Sequence, residues 1–176
     1  MLQPGPRIRQ RERLRPESGF TVIELAAVLV ATGLLTTIAY VAYETFTVRS
    51  EIVASIRATQ AVQTEIADVY RRAQRLADNK TTLNSVAAAE TNRYIDVLQV
   101  EQGRIDIRYG KQANAAIAGR VLSLTPYENA SIEISWICGN SIPSVGLKPL
   151  GFASGGPQAV QIPTTVEQRY LPRDCL

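Results

Sequence analysis

The chain has 176 residues, 45% of them hydrophobic and 20% charged, which suits one compact domain plus an extra segment and falls short of two full domains. The absence of histidine excludes Ser-His-Asp and Cys-His catalysis and His-ligated metal sites, and the two cysteines, Cys138 and Cys175, cannot make a four-cysteine zinc site or a C-x-x-C redox pair. The formal charge of +3 is concentrated at one end: Arg7, Arg9, Arg11, Arg13 and Arg15 oppose only Glu12 and Glu17 in the first nineteen residues, and cations and anions balance in the rest.

A basic arm can grip phosphates, but directly before an apolar segment it obeys the positive-inside rule. Membrane topology, and no direct nucleic-acid binding, is the expectation here. Leu25–Tyr43 (LAAVLVATGLLTTIAYVAY) is nineteen residues without a charge, roughly 28 Å of helix and about one hydrocarbon thickness. A secretory signal carries its small-residue cleavage site after the apolar run, whereas Ser18-Gly19 lies before it. A cut at Gly19 would remove the arm and leave the helix on the mature chain. Glu24 stands among Phe20, Val22, Ile23 and Leu25, where a carboxylate is either functional or snorkels to the headgroups, and position alone supports both readings.

The string Gly19-Phe20-Thr21-Val22-Ile23-Glu24-Leu25, behind a basic leader and before the apolar run, resembles the class III signal of type IV pilins and related pseudopilins. The resemblance implies cleavage between Gly19 and Phe20 by prepilin peptidase and N-methylation of Phe20. It also implies that Glu24 neutralises the Phe20 amine of a neighbouring subunit in a fibre. A buried carboxylate is tolerable when an ammonium and hydrogen bonds compensate it. Type IV pilins commonly carry Pro near the position of Val41; this chain has none there and keeps Gly33.

Beyond Tyr43, Val48, Ile52 and Ile56, then Val62, Ile66, Val69, Ala73 and Leu76, recur at helical spacing, with Thr59 in the weak turn between the sets. Arg49, Glu51, Arg57, Glu65, Asp68, Arg71 and Arg72 take other faces, as an amphipathic helix requires. No Pro or Gly interrupts residues 34–79, so one helix from Phe20 to about Asp78, roughly 88 Å, is predicted.

Residues 79–93 read as a polar loop. Four strands follow: Tyr94–Glu101 and Arg104–Tyr109 around a Gln102-Gly103 turn, then Arg120–Thr125 and Ser131–Cys138 around a Pro126–Ala130 loop. Ile132, Ile134, Trp136 and Cys138 are expected on one face of the last strand. The fold class expected is α+β, a long N-terminal helix with a hydrophobic first half packed on a four-stranded antiparallel sheet. The aperiodic tail, residues 139–176, ends the chain.

For a protein sent across the inner membrane, a disulfide is the expected use of Cys138 and Cys175, two buried thiols being the alternative. Trp136-Ile137-Cys138-Gly139 and Tyr170-Leu171-Pro172-Arg173-Asp174-Cys175 also resemble the C-terminal disulfide region of type IVa pilins. Asn79-Lys80-Thr81 and Asn129-Ala130-Ser131 match the glycosylation sequon by chance frequency. Gly146, Gly151, Gly155 and Gly156 are loop punctuation, and Asp96, Glu101, Asp106 and Glu128 lack cation-binding spacing.

The organisation expected is a cleaved leader over residues 1–19, a transmembrane and polymerisation helix over 20–47 and a globular domain over 48–176. No catalytic residue, metal or cofactor is expected. The function this implies is a structural subunit of a type IV pilus, with a minor pilin or a secretion pseudopilin as the alternative and a membrane sensor or enzyme less favoured. The implied partners are other copies of the chain, prepilin peptidase, the assembly machinery and, before assembly, the bacterial inner membrane. The N-terminus is expected to be cytoplasmic there, and the assembled fibre extracellular.

Overall fold

The structure, a computed structural model, describes residues 19–77, 83–110, 112–151 and 157–176. It divides into two units, Met1–Tyr40 and Val41–Leu176. Helix α1 (Val22–Ala58) runs through the uncharged segment and into the amphipathic one, and α2 (Gln60–Ala73) continues after a single irregular residue. That residue is the buried Thr59. Its N–H is shared between the carbonyls of Ser55 (3.3 Å) and Ile56 (3.1 Å), a three-residue reach that tightens the turn, and the Gln63 N–H returns to the Thr59 carbonyl at 2.9 Å.

The helical stretch ends at Ala73, earlier than expected. Gln74 adopts a left-handed conformation (φ 50°) and its N–H caps the Tyr70 carbonyl at 2.8 Å, a common helix stop. Asp78, the expected end, lies outside the described residues, as does the Asn79 sequon.

Strands β1 (Ile95–Glu101), β2 (Arg104–Tyr109), β3 (Val121–Glu128) and β4 (Ile134–Cys138) form an antiparallel sheet in that order. The Gln102-Gly103 turn joins β1 to β2 with positive φ at both residues (49° and 78°), as a tight primed turn requires. A short fifth strand, β5 (Lys148–Pro149), pairs with the end of β3.

Three further expectations are corrected. β3 continues through Pro126, where the sequence predicts a loop. Pro126 opposes Trp136 of β4, and its carbonyl accepts the Leu150 N–H on the other side at 3.0 Å. β2 pairs only as far as Leu124, so the missing proline N–H falls where the β1–β2 turn has replaced a strand neighbour. Ile132 does not join the strand face: it sits in the turn before β4 with φ 61° and half its surface exposed (52%). The Asn129 carboxamide holds that turn, accepting the Ser131 and Glu133 N–H groups, each at 2.9 Å. Finally, the polar loop contains a helix, α3 (Ser85–Glu90).

The core of the Val41–Leu176 unit lies between the helical face and one side of the sheet. Val48, Ile52, Val62 and Ile66 are fully buried with Leu98, Ile105, Ile107, Leu122 and Leu124. Each such side chain contributes about 1.5–3 kcal/mol of transfer free energy. The two polar residues on that face are accommodated: the Ser55 hydroxyl meets the Tyr109 phenol at 2.9 Å and Thr59 donates to the Ile56 carbonyl at 2.7 Å. Burial pushes the Tyr109 phenol pKa up, against the opposing effect of the Ser55 hydrogen bond.

Candidate functional site

The first unit has one outstanding property. From Gly19 to Tyr43 every residue is exposed, among them the apolar side chains of Phe20, Ile23, Leu25, Leu29, Leu35 and Val41. A helix apolar on all sides needs an apolar surrounding on all sides, either lipid or packed protein. Among the described residues this is the one helix long and apolar enough to cross a membrane.

Its hydroxyls suit such a place. Thr32 donates to the Val28 carbonyl (2.9 Å), Thr36 to Thr32 (2.7 Å), Thr37 to Leu34 (2.8 Å) and Thr47 to Tyr43 (2.9 Å). No threonine among these needs water, because each is satisfied one turn back along its own helix.

Glu24 lies in the first turn of α1. The Glu24 N–H donates to the Thr21 hydroxyl at 3.3 Å, and the Leu25 N–H reaches the Thr21 carbonyl at 3.2 Å. Thr21 is therefore the helix N-cap, with Glu24 three residues beyond it, the spacing of a capping box. Sequence reading passed over Thr21, although the Thr-x-x-Glu pattern carried the signal. Near the positive end of the helix dipole, a carboxylate at Glu24 is favourably placed. Phe20 precedes the cap with 82% of its surface exposed, and no atom outside its immediate neighbours lies within 4 Å of a Cβ built on Gly19.

The second unit holds the other anticipated pair. Cys138, at the end of β4, is disulfide-bonded to Cys175, with 4.8 Å between Cα atoms and 37 residues of separation. Both are buried, and so are Val166, Tyr170 and Leu171 in the returning tail. The tail is also sewn to the sheet by hydrogen bonds. Thr164 donates to the Val121 carbonyl (2.7 Å), the Thr165 hydroxyl takes the Val121 N–H (2.7 Å), and Gln161 bridges the carbonyls of Gly139 and Ser141, each at 3.0 Å.

Among the described residues, Arg104 is the one charged group deep in this unit that the sequence did not single out. Its side chain is 4% exposed; it bonds Asp106 (2.9 Å), Glu101 (2.6 Å) and the Val160 carbonyl (3.0 Å). Burial works against its charge, and Asp106 and Glu101 outweigh that, holding its pKa above the ordinary value. Asp106 and Glu101, two of the four acids considered for a cation, are thus the partners of Arg104. Among the described residues no group of His, Cys, Asp and Glu has the arrangement of a metal site.

The family model for pilin, a bacterial filament, matches residues 48–176, which is most of the chain and the whole sheet. The chain belongs to the pilin family. It is similar to a type IV major pilin protein PilE1 of Neisseria gonorrhoeae, 26% identical over 164 residues that cover 90% of this chain and 87% of the other. A fimbrial protein of Neisseria meningitidis serogroup B is also 26% identical, over 129 residues covering 72% of this chain and 75% of that one. Both the long helix packed on an antiparallel sheet and the disulfide-bounded tail are thus those of a pilin.

Proposed function

We propose that this pilin is a principal subunit of a type IV pilus, cut between Gly19 and Phe20 by prepilin peptidase, methylated at Phe20 and polymerised through residues 20–47. The observation that carries the reading is the helix itself, apolar on every face with Glu24 as the single charge between Phe20 and Tyr43. Before assembly the bilayer of the inner membrane supplies the apolar surrounding, with the basic arm on the cytoplasmic side. After assembly the helices of neighbouring copies supply it, and residues 48–176 form the outer part of an extracellular fibre.

Glu24 links the two environments. At the membrane interface, water and headgroups solvate the carboxylate. In a fibre core an unpaired carboxylate costs several kcal/mol or takes up a proton. The Phe20 ammonium of a neighbouring copy offsets that cost at one axial height, so the pair acts chiefly on register. The pilus roles open to such a fibre are adhesion, twitching motility and DNA uptake. The names of the relatives, a major pilin and a fimbrial protein, favour a principal subunit over a minor pilin or a pseudopilin. Shearing surface fibres from the cells and quantifying their protein tests this: the chain should be the dominant component, and a trace amount would assign it to a minor subunit.

A further inference from the structure

Helix α3 lies between α2 and the outer edge of β1, and both of its attachments are made by carboxylates. β1 is an edge strand, paired on one side by β2. The Leu98 N–H, directed away from β2, is taken by the Glu90 side chain of α3 at 3.1 Å, so α3 masks part of an edge that would otherwise offer an unpaired backbone. At the other end of α3, Asn84 occupies the N-cap position without a side-chain cap. Glu65 of α2 does that work from nineteen or twenty residues away, accepting the N–H groups of Asn84 (3.0 Å) and Ser85 (2.9 Å) and the Ser85 hydroxyl. α3 has six residues, too few to be helical alone. Its apolar anchoring is slight: Ala89 is buried, and Leu83 and Val86 are partly so.

We propose that α3 is a strap over the β1 edge that acid releases by protonating Glu65, while the sheet beneath stays folded. A protonated Glu65 can no longer accept three donors as a carboxylate does, and among the described residues no other side chain caps this six-residue helix. Among the described residues, the charged groups around Glu65 on its own helix side are Asp68, Arg72 and Arg75, which line the same α2 groove. Asp68 is itself engaged by Arg71 and Arg72. On the side of α3 and β1 the described charges are Glu90, Arg93, stacked on Tyr94, Asp96, paired with Arg108, and, at the end of β1, Glu101, paired with Arg104. The Ser85 hydroxyl first, and then the Ser85 and Asn84 amides, outweigh desolvation and hold Glu65 below the ordinary carboxylate value of 4.5. The sign follows from that lowering: the attachment is complete above the ordinary value and is lost as pH falls through the lowered one.

The test is hydrogen exchange on the full-length chain in detergent micelles, titrated from about pH 7 to about pH 3, with each rate divided by its intrinsic rate at that pH. Protection of the amides of residues 84–90 should fall by about tenfold or more across an acid step, while Ile107 and Leu124 keep theirs. Glu65→Gln should leave α3 poorly protected already at neutral pH, with no acid step. Ser85→Ala, which keeps the two amide donors, should move the step to higher pH. The proposal is overturned if residues 84–90 lose protection only together with β2 and β3. An unshifted step in either variant overturns it as well.

Discussion

At the scale of single residues, Glu24 and Arg104 are opposite uses of charge. Glu24 stands on a helix where, among the described residues, its carboxylate has no ion-pair partner, whereas Arg104 is enclosed by two carboxylates and a carbonyl within the fold. Glu24→Val lengthens the apolar run without disturbing it, so membrane insertion and cleavage should be unchanged while surface fibre falls by about tenfold or more, because the register contact is gone. Glu24→Asp should be intermediate or poor, its carboxylate falling about one methylene short. Processed subunit in the membrane and polymer on the surface, measured for each variant, check this; normal fibre from Glu24→Val would leave Glu24 a snorkelling residue. Arg104→Met should cost about 3 kcal/mol in urea unfolding, since it strands Asp106, which is 16% exposed. Arg104→Lys should recover little of it, because one ammonium cannot reproduce the planar fork that reaches Asp106, Glu101 and Val160 together.

At the scale of elements, what sequence revealed depended on whether the deciding contact was local. The spacing of Val48, Ile52, Val62 and Ile66 was enough to define the buried helical face, since periodicity is local. The Gln102-Gly103 turn was equally legible. β3 could not be bounded that way, because Pro126 is acceptable only where β2 has already turned off and β5 has arrived from the tail. α3 was hidden for a similar reason: its cap is Glu65, on another helix. Within the candidate site, Phe20 and Glu24 are proposed from a resemblance, while the Thr21 cap follows from the local Thr-x-x-Glu pattern. The tail lacked periodicity because its bonds to Val121, Gly139 and Ser141 come from individual threonines and a glutamine. Those bonds bear on the disulfide. Closing a loop of 37 residues' separation is worth about 4 kcal/mol in chain entropy, so replacing both Cys138 and Cys175 by serine should lower stability by about 2–4 kcal/mol. Tail amides near Thr164–Val166 should nevertheless stay protected in hydrogen exchange. Loss of that protection without global unfolding would mean that the disulfide alone holds the tail.

At the scale of the whole molecule, the two units call for different solvents. The Val41–Leu176 unit has its own core, so a truncation to residues 48–176 should be folded, soluble and monomeric by light scattering after size exclusion. Aggregation of the disulfide-intact truncation would point to a further apolar partner surface, with the protruding Ile142 and Val145 the first place to look. The Met1–Tyr40 unit, by contrast, exposes an apolar helix whose proposed use as a polymerisation element depends on losing the arginines before it. The most direct measurement of that claim is the intact mass of the subunit in sheared surface fibres. The account predicts a chain beginning at Phe20, carrying one added methyl group and the Cys138–Cys175 disulfide; a fibre subunit that retains Arg7–Arg15 would contradict it.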